Sequence, residues 1–396
     1  MTPVPRLRAY SGPALLSYGF RPFFLFGAIY AGLAVLAWLP MLYGELQVAS
    51  AFAAVDWHVH EMLYGYVPAV VTGFLLTAIP NWTGRLPIQG MPLLVLVAVW
   101  LAGRVGVTLS AQIGWLPAAI VDAGFLALVI AATAREIVAG KNWRNLRVVG
   151  MVVLLFAGNI AFHVEAHVHG HAEYGVRIGI AATVLLLVVI GGRIIPSFTR
   201  NWLARANPGR LPAPFGRFDA AVIAVSAATL ALWVAQPSGR LTAAALIVAA
   251  VLNIVRLARW AGDRTWRDRL VLILHVGYLF VPFGFLLAGL GALDLVAASA
   301  GVHAWMVGAA GSMTLAVMTR ASLGHSGNAL VAWPATQAVY AAVVIAALAR
   351  ICSSLEPGWS EWLLPISAFA WAAAFLGFAV TFGPLLLRPK PGAPQQ

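Results

Sequence analysis

The sequence predicts an all-α membrane protein, one transmembrane domain over residues 1–396 with twelve spans and no soluble domain. Three observations predict it. Hydrophobic residues make up 61% of the chain against 10% charged, and the mean hydropathy is +0.88. The apolar residues also fall in runs of about 20, the length that crosses a hydrocarbon core. A net charge of +12 suggests nucleic acid at first sight. The basic residues sit in short segments between apolar runs, however, so they read as topology signals and anionic-lipid contacts, and a nucleic-acid partner is excluded.

Taken in order, the spans fall near residues 23–42, 57–80, 91–109, 116–135, 147–168, 174–198, 219–236, 241–259, 270–291, 302–320, 334–353 and 362–387. Arg6 and Arg8 lead into a run long enough to be the first span rather than a cleaved signal peptide. Span 2 opens on Asp56-Trp57-His58-Val59-His60-Glu61 and leaves through Pro80-Asn81-Trp82-Thr83-Gly84. Spans 3 and 4 are apolar, with Asp122 about two turns into the latter. Span 5 closes on His163 and His167, span 6 carries Arg193 near its far end, and span 9 holds His275. Span 10 opens on His303 and is followed by His325 in a Gly-His-Ser-Gly turn. The exits of spans 2, 6 and 10 echo one another (Pro80 to Arg85, Pro196 to Arg200, Val317 to Arg320), which suits three four-helix units about a pseudo-threefold axis.

Lysine and arginine set the orientation. They gather before span 1 (Arg6, Arg8, Arg21), after span 2 (Arg85), and in the 4–5, 6–7 and 8–9 connections. They gather again at Arg320, Arg388 and Lys390. The alternate loops hold almost none, with Arg240 the main exception, so both termini are expected in the cytoplasm.

Chemistry rests on the histidines. The single cysteine, Cys352, excludes a disulfide, c-type haem attachment, a thiolate-bound iron–sulfur cluster and a two-thiolate copper centre. His58, His60, His163, His167 and His303 form a layer at the outer face; His275 and His325 lie toward the inner one. His163 and His167 are four apart, so they point the same way and could hold one metal. His58 and His60 are two apart and face differently on a regular helix, so they share one ion only if the helix begins after them and otherwise serve separate sites. His303 and Met306 share a helical face that suits Cu(I) or a haem axial position. Arg193 reads as a grip for an anion such as a haem propionate, with Arg21 a second candidate, while Arg320 also fits positive-inside anchoring. Gly65, Ala69 and Gly73 in span 2 and Gly308 to Gly311 in span 10 leave room for a close neighbouring helix or a flat ligand. Few acids cross the bilayer, which disfavours proton pumping.

Several long motifs occur in order: Gly19-Phe20-Arg21-Pro22-Phe23-Phe24, Trp57-His58-Val59-His60-Glu61-Met62, Gly73 to Gly84, Gly192-Arg193-Ile194-Ile195-Pro196, His275-Val276-Gly277-Tyr278, and His303 to Gly327. On these the chain resembles the NnrS family. The resemblance implies a bacterial inner-membrane protein with b-type haem and copper that protects against nitrosative stress. It extends a cofactor role to His58, His60, His275, His303, His325, Arg193 and Arg320; Ser326 stands where threonine is expected. The twelve spans also resemble the catalytic subunit of haem–copper oxidases, but the Trp-His-x-x-x-x-His pattern with an adjacent His-His pair is missing. The expected activity is binding and turnover of nitric oxide or a related species, as a haem/copper oxidoreductase drawing electrons from a quinol or another donor. Two rival readings stay open: a transporter of copper or metal-nitrosyl species, and a haem-based nitric oxide sensor without turnover.

Overall fold

The computed structural model describes residues 10–389; the topology signals Arg6, Arg8 and Lys390 lie outside them. Among the described residues, twelve helices are long and apolar enough to cross a membrane: α1 (Phe20–Leu42), α2 (Ala54–Thr83), α3 (Met91–Thr108), α4 (Trp115–Ala139), α5 (Trp143–His169), α6 (Tyr174–Ala206), α7 (Arg217–Ala235), α8 (Arg240–Ala258), α9 (Arg269–Gly291), α10 (Ala298–His325), α11 (Pro334–Leu355) and α12 (Pro357–Leu387). The protein is an all-α, multi-pass membrane protein, as its hydropathy predicts.

Several boundaries move outward. α2 begins at Ala54, before both of its histidines, and runs through Pro80 to end on Gly84, whose φ of 70° gives the left-handed cap that halts a helix. α10 carries on to His325, which therefore closes a helix rather than sitting in a turn. The carboxylate of Glu165 accepts the N–H groups of Glu173, Tyr174 and Gly175 at 2.9–3.2 Å. It thereby satisfies the exposed donors at the start of α6. Asp268 does the same for α9, through Leu270 and Val271.

The helices group into two compact units rather than three. One holds the residues up to Gly179, Val317–Leu330 and those from Phe375 onward; the other holds Ile180–Ala316 and Val331–Ala374. The expected threefold grouping thus gains no support. In the first unit α1 packs on α2, α3 on α4, and α4 on both α2 and α5; in the second, α8 packs on α7 and α9, and α10 on α9 and α11.

Among the described residues, two helices widen into π geometry, both just after a histidine. Glu61–Tyr66 in α2 and Ala304–Gly311 in α10 are π-helical. Such wider turns occur mostly where a helix serves a site. The π segment beginning at Ala304 also removes the α-helical spacing that would place Met306 beneath His303.

The small residues serve helix packing. A Cβ on Gly65 would strike Arg104, one on Gly73 would strike Phe23 and Phe24, one on Gly308 Phe280, and one on Gly311 Trp371. The faces expected to admit a flat ligand are filled by these side chains. One approach is backbone to backbone: a methyl on Gly175 would lie 2.5 Å from the Phe162 nitrogen and Cα. Gly175→Ala should therefore destabilise the fold by about 1–3 kcal/mol, as overpacking does, seen as a lower thermal midpoint in detergent.

Candidate metal centre

The first unit encloses a polar cluster inside its apolar packing. His60 and Glu61 come from α2, Arg104 from α3, Asp122 from α4, and Asn159 and His163 from α5. All six are buried, none more than 4% exposed. Charge inside a membrane span is costly and persists only where partners answer it. Here they do. Arg104 donates from Nη1 to Oε2 of Glu61 at 2.7 Å, and from Nη2 to Asp122. The Tyr30 hydroxyl also donates to Glu61.

The two imidazoles converge on one carboxylate oxygen. Oδ2 of Asp122 lies 3.0 Å from Nε2 of His163 and 3.2 Å from Nε2 of His60, and it accepts from Nδ2 of Asn159 at 2.8 Å. His60, Asp122 and His163 each offer a ligand atom, all within 4.8 Å of one another, so the group could hold a metal ion. A metal bound at about 2.0–2.2 Å keeps its ligand atoms roughly 3–3.6 Å apart, the range seen around Asp122.

The outer contacts fit the same chemistry. Nδ1 of His60 faces Oε1 of Glu61 at 3.0 Å while Nε2 faces Asp122 and Asn159. A neutral ring donates from one nitrogen only. With Nδ1–H given to Glu61, Nε2 is left basic, which is the arrangement by which a carboxylate orients a metal-binding histidine. Two carboxylates against one guanidinium also leave one negative charge over when both imidazoles are neutral, so the cluster accommodates a cation or a proton. Phe52 and Phe162 pack against the imidazoles, with ring centroids 5.0–5.3 Å from that of His60 or His163.

The other expected site residues are placed elsewhere. His167 does not share a site with His163: its ring stacks on Trp115, centroids 4.2 Å apart. His58 stacks on Trp38 at 4.1 Å, as its different facing from His60 predicts. His325 lies beside Tyr18 and Phe20, 5.6 Å from each. Nε2 of His275 is 2.8 Å from the Thr199 hydroxyl, and its ring packs so close to Gly262 that a Cβ there would fall on it. Nδ1 of His303 donates to the Ser299 carbonyl at 2.7 Å, which leaves Nε2 as its basic nitrogen.

Among the arginines, Arg21 is buried and gives its Nη1 to the carbonyls of Leu386 and Arg388 at 2.8 and 2.7 Å, a helix-end role rather than an anion grip. Arg193 is exposed and Arg320 half-buried. The guanidinium lying against Gly192 belongs instead to Arg256, which pairs with Asp219 at 3.1 Å and donates to the Val188 carbonyl at 2.9 Å. Sequence reasoning passed over Arg104, although a lone arginine within a span is a signal in itself. Asn159 and Tyr30 carried no signal.

A family model described as NnrS protein matches residues 14–390. No curated protein matches the chain. Removing the guanidinium tests the electrostatics: Arg104→Leu should cost on the order of 3–5 kcal/mol by stranding two buried carboxylates. Adding Glu61→Gln should restore part of the loss, read as thermal midpoints of the two variants.

Proposed function

The chain belongs to the NnrS family, and from that premise we propose that it is a metalloprotein of nitric oxide metabolism. It binds copper at His60, Asp122 and His163 and haem b through Nε2 of His303. The carrying observation is the convergence of two imidazoles and a carboxylate on one buried point, with a second carboxylate orienting one ring. Two nitrogens and an oxygen suit copper, zinc or iron; copper is the choice the family favours. When bound, copper supplies a Lewis acid able to take nitric oxide and exchange an electron.

The chain's own residues do the rest. Glu61 holds the His60 ring in one tautomer and orientation. Asp122 brings negative charge to the ion, and Arg104 keeps that charge tolerable in an apolar setting. Phe52 and Phe162 exclude water while admitting a small apolar gas that already partitions into the bilayer. For haem, the Ser299 carbonyl accepts from Nδ1 of His303, so His303 would hold the iron through its other nitrogen. Both termini face the cytoplasm of a bacterial inner membrane, and a quinol or another donor supplies electrons for turnover that protects against nitrosative stress.

Metal analysis of purified protein tests this. Wild type should bind copper stoichiometrically, and His60→Ala and His163→Ala should lose it, whereas His167→Ala should retain it. Glu61→Gln should weaken binding about 10–100-fold. Equal copper in the His60 and His167 variants would overturn the assignment. For haem, His303→Ala should abolish the Soret band, and addition of nitric oxide should shift that band in wild type.

A further inference from the structure

Arg350, on α11, is a guanidinium that this fold leaves without a carboxylate. Arg104 is answered by Glu61 and Asp122, Arg256 by Asp219, and Arg21 by carbonyls. Half-buried Arg350 forms no ion pair among the described residues, and Glu356 and Glu361, the acids closest to it in sequence, are exposed. Its one side-chain hydrogen bond runs from Nη1 to Oγ of Ser354 at 3.0 Å. Arginine carries five N–H donors, so most of the fork makes no hydrogen bond among the described residues.

The surroundings hold that fork in place. Ser354 is 6% exposed; its hydroxyl donates to the Arg350 carbonyl at 3.1 Å and lies 3.4 Å from Nδ1 of His303. That imidazole is fixed in turn by Ser299 at 2.7 Å. A charge in a membrane span without a partner is costly, and such residues mark ligand sites. Loop charges offer no other account. On the topology they predict, the end of α11 faces the side where lysine and arginine are scarce, so positive-inside anchoring does not explain an arginine there.

We propose that Arg350, braced by Ser354 and His303, is a binding site for an oxyanion. The fork of a guanidinium matches two oxygens of one planar or tetrahedral group. A lipid headgroup phosphate and a small soluble oxyanion share this chemistry. The site uses the Nδ1 side of His303 and residues of the second unit, so it stands whether or not copper binds at His60.

The test compares wild type with Arg350→Gln and Arg350→Lys. One arm titrates sodium nitrite and inorganic phosphate into detergent-solubilised protein at constant ionic strength, by calorimetry. The other measures thermal midpoints in nanodiscs of phosphatidylglycerol against phosphatidylcholine, and phospholipid retained on purification. A tenfold or greater loss of anion affinity in Arg350→Gln, smaller in Arg350→Lys, identifies a soluble oxyanion. Loss confined to retained phospholipid and to the phosphatidylglycerol midpoint identifies a headgroup. If Arg350→Gln does not fold, Ser354→Ala takes its place and should weaken the same arm. Wild type and variants alike in both arms would overturn the proposal. Copper content at His60 should be unchanged throughout, so this outcome is separate from that of the metal assignment.

Discussion

The Arg104 guanidinium, shared between Glu61 and Asp122, is the contact on which the rest of the first unit's interior depends. Two ionised carboxylates in an apolar bundle are tolerable only with a cation between them. With Arg104 there, Glu61 is free to orient His60 and Asp122 is free to face both imidazoles. Three helices, α2, α3 and α4, are tied together through this one side chain and its acceptors. The second unit repeats the device on a smaller scale, with Arg256 held by Asp219, the Val188 carbonyl and the Tyr278 hydroxyl.

How much of this was legible beforehand follows from which interactions are local. The twelve spans were, because hydropathy over about 20 residues is a property of consecutive residues. The helix that begins before His58 and His60 divides them as the two-residue offset requires. The pairing of His163 with His167 failed because spacing says only which way two side chains point. It does not say what the facing helices offer, and those helices offer Asp122 to one ring and Trp115 to the other.

The small residues teach the same lesson. Gly65 and Gly73 recur as a ligand groove would, yet each makes room for a named neighbour, Arg104 or Phe24. Nothing within α2 distinguishes the two uses, since the deciding atoms lie on other helices. Arg104 itself was visible as a charge inside an apolar run. Asn159 was not, because a single amide in a span carries no pattern until its two partners are known.

The π-helical turns after His60 and His303 carry a consequence for how each helix is divided. A wider turn takes up an added residue, and one α-helical residue is about 100° of rotation. The imidazole-bearing starts of α2 and α10 are therefore rotated out of phase with the remainder of the same helix. One polypeptide rod thus turns its imidazole-bearing start and its close-packing stripe to different azimuths.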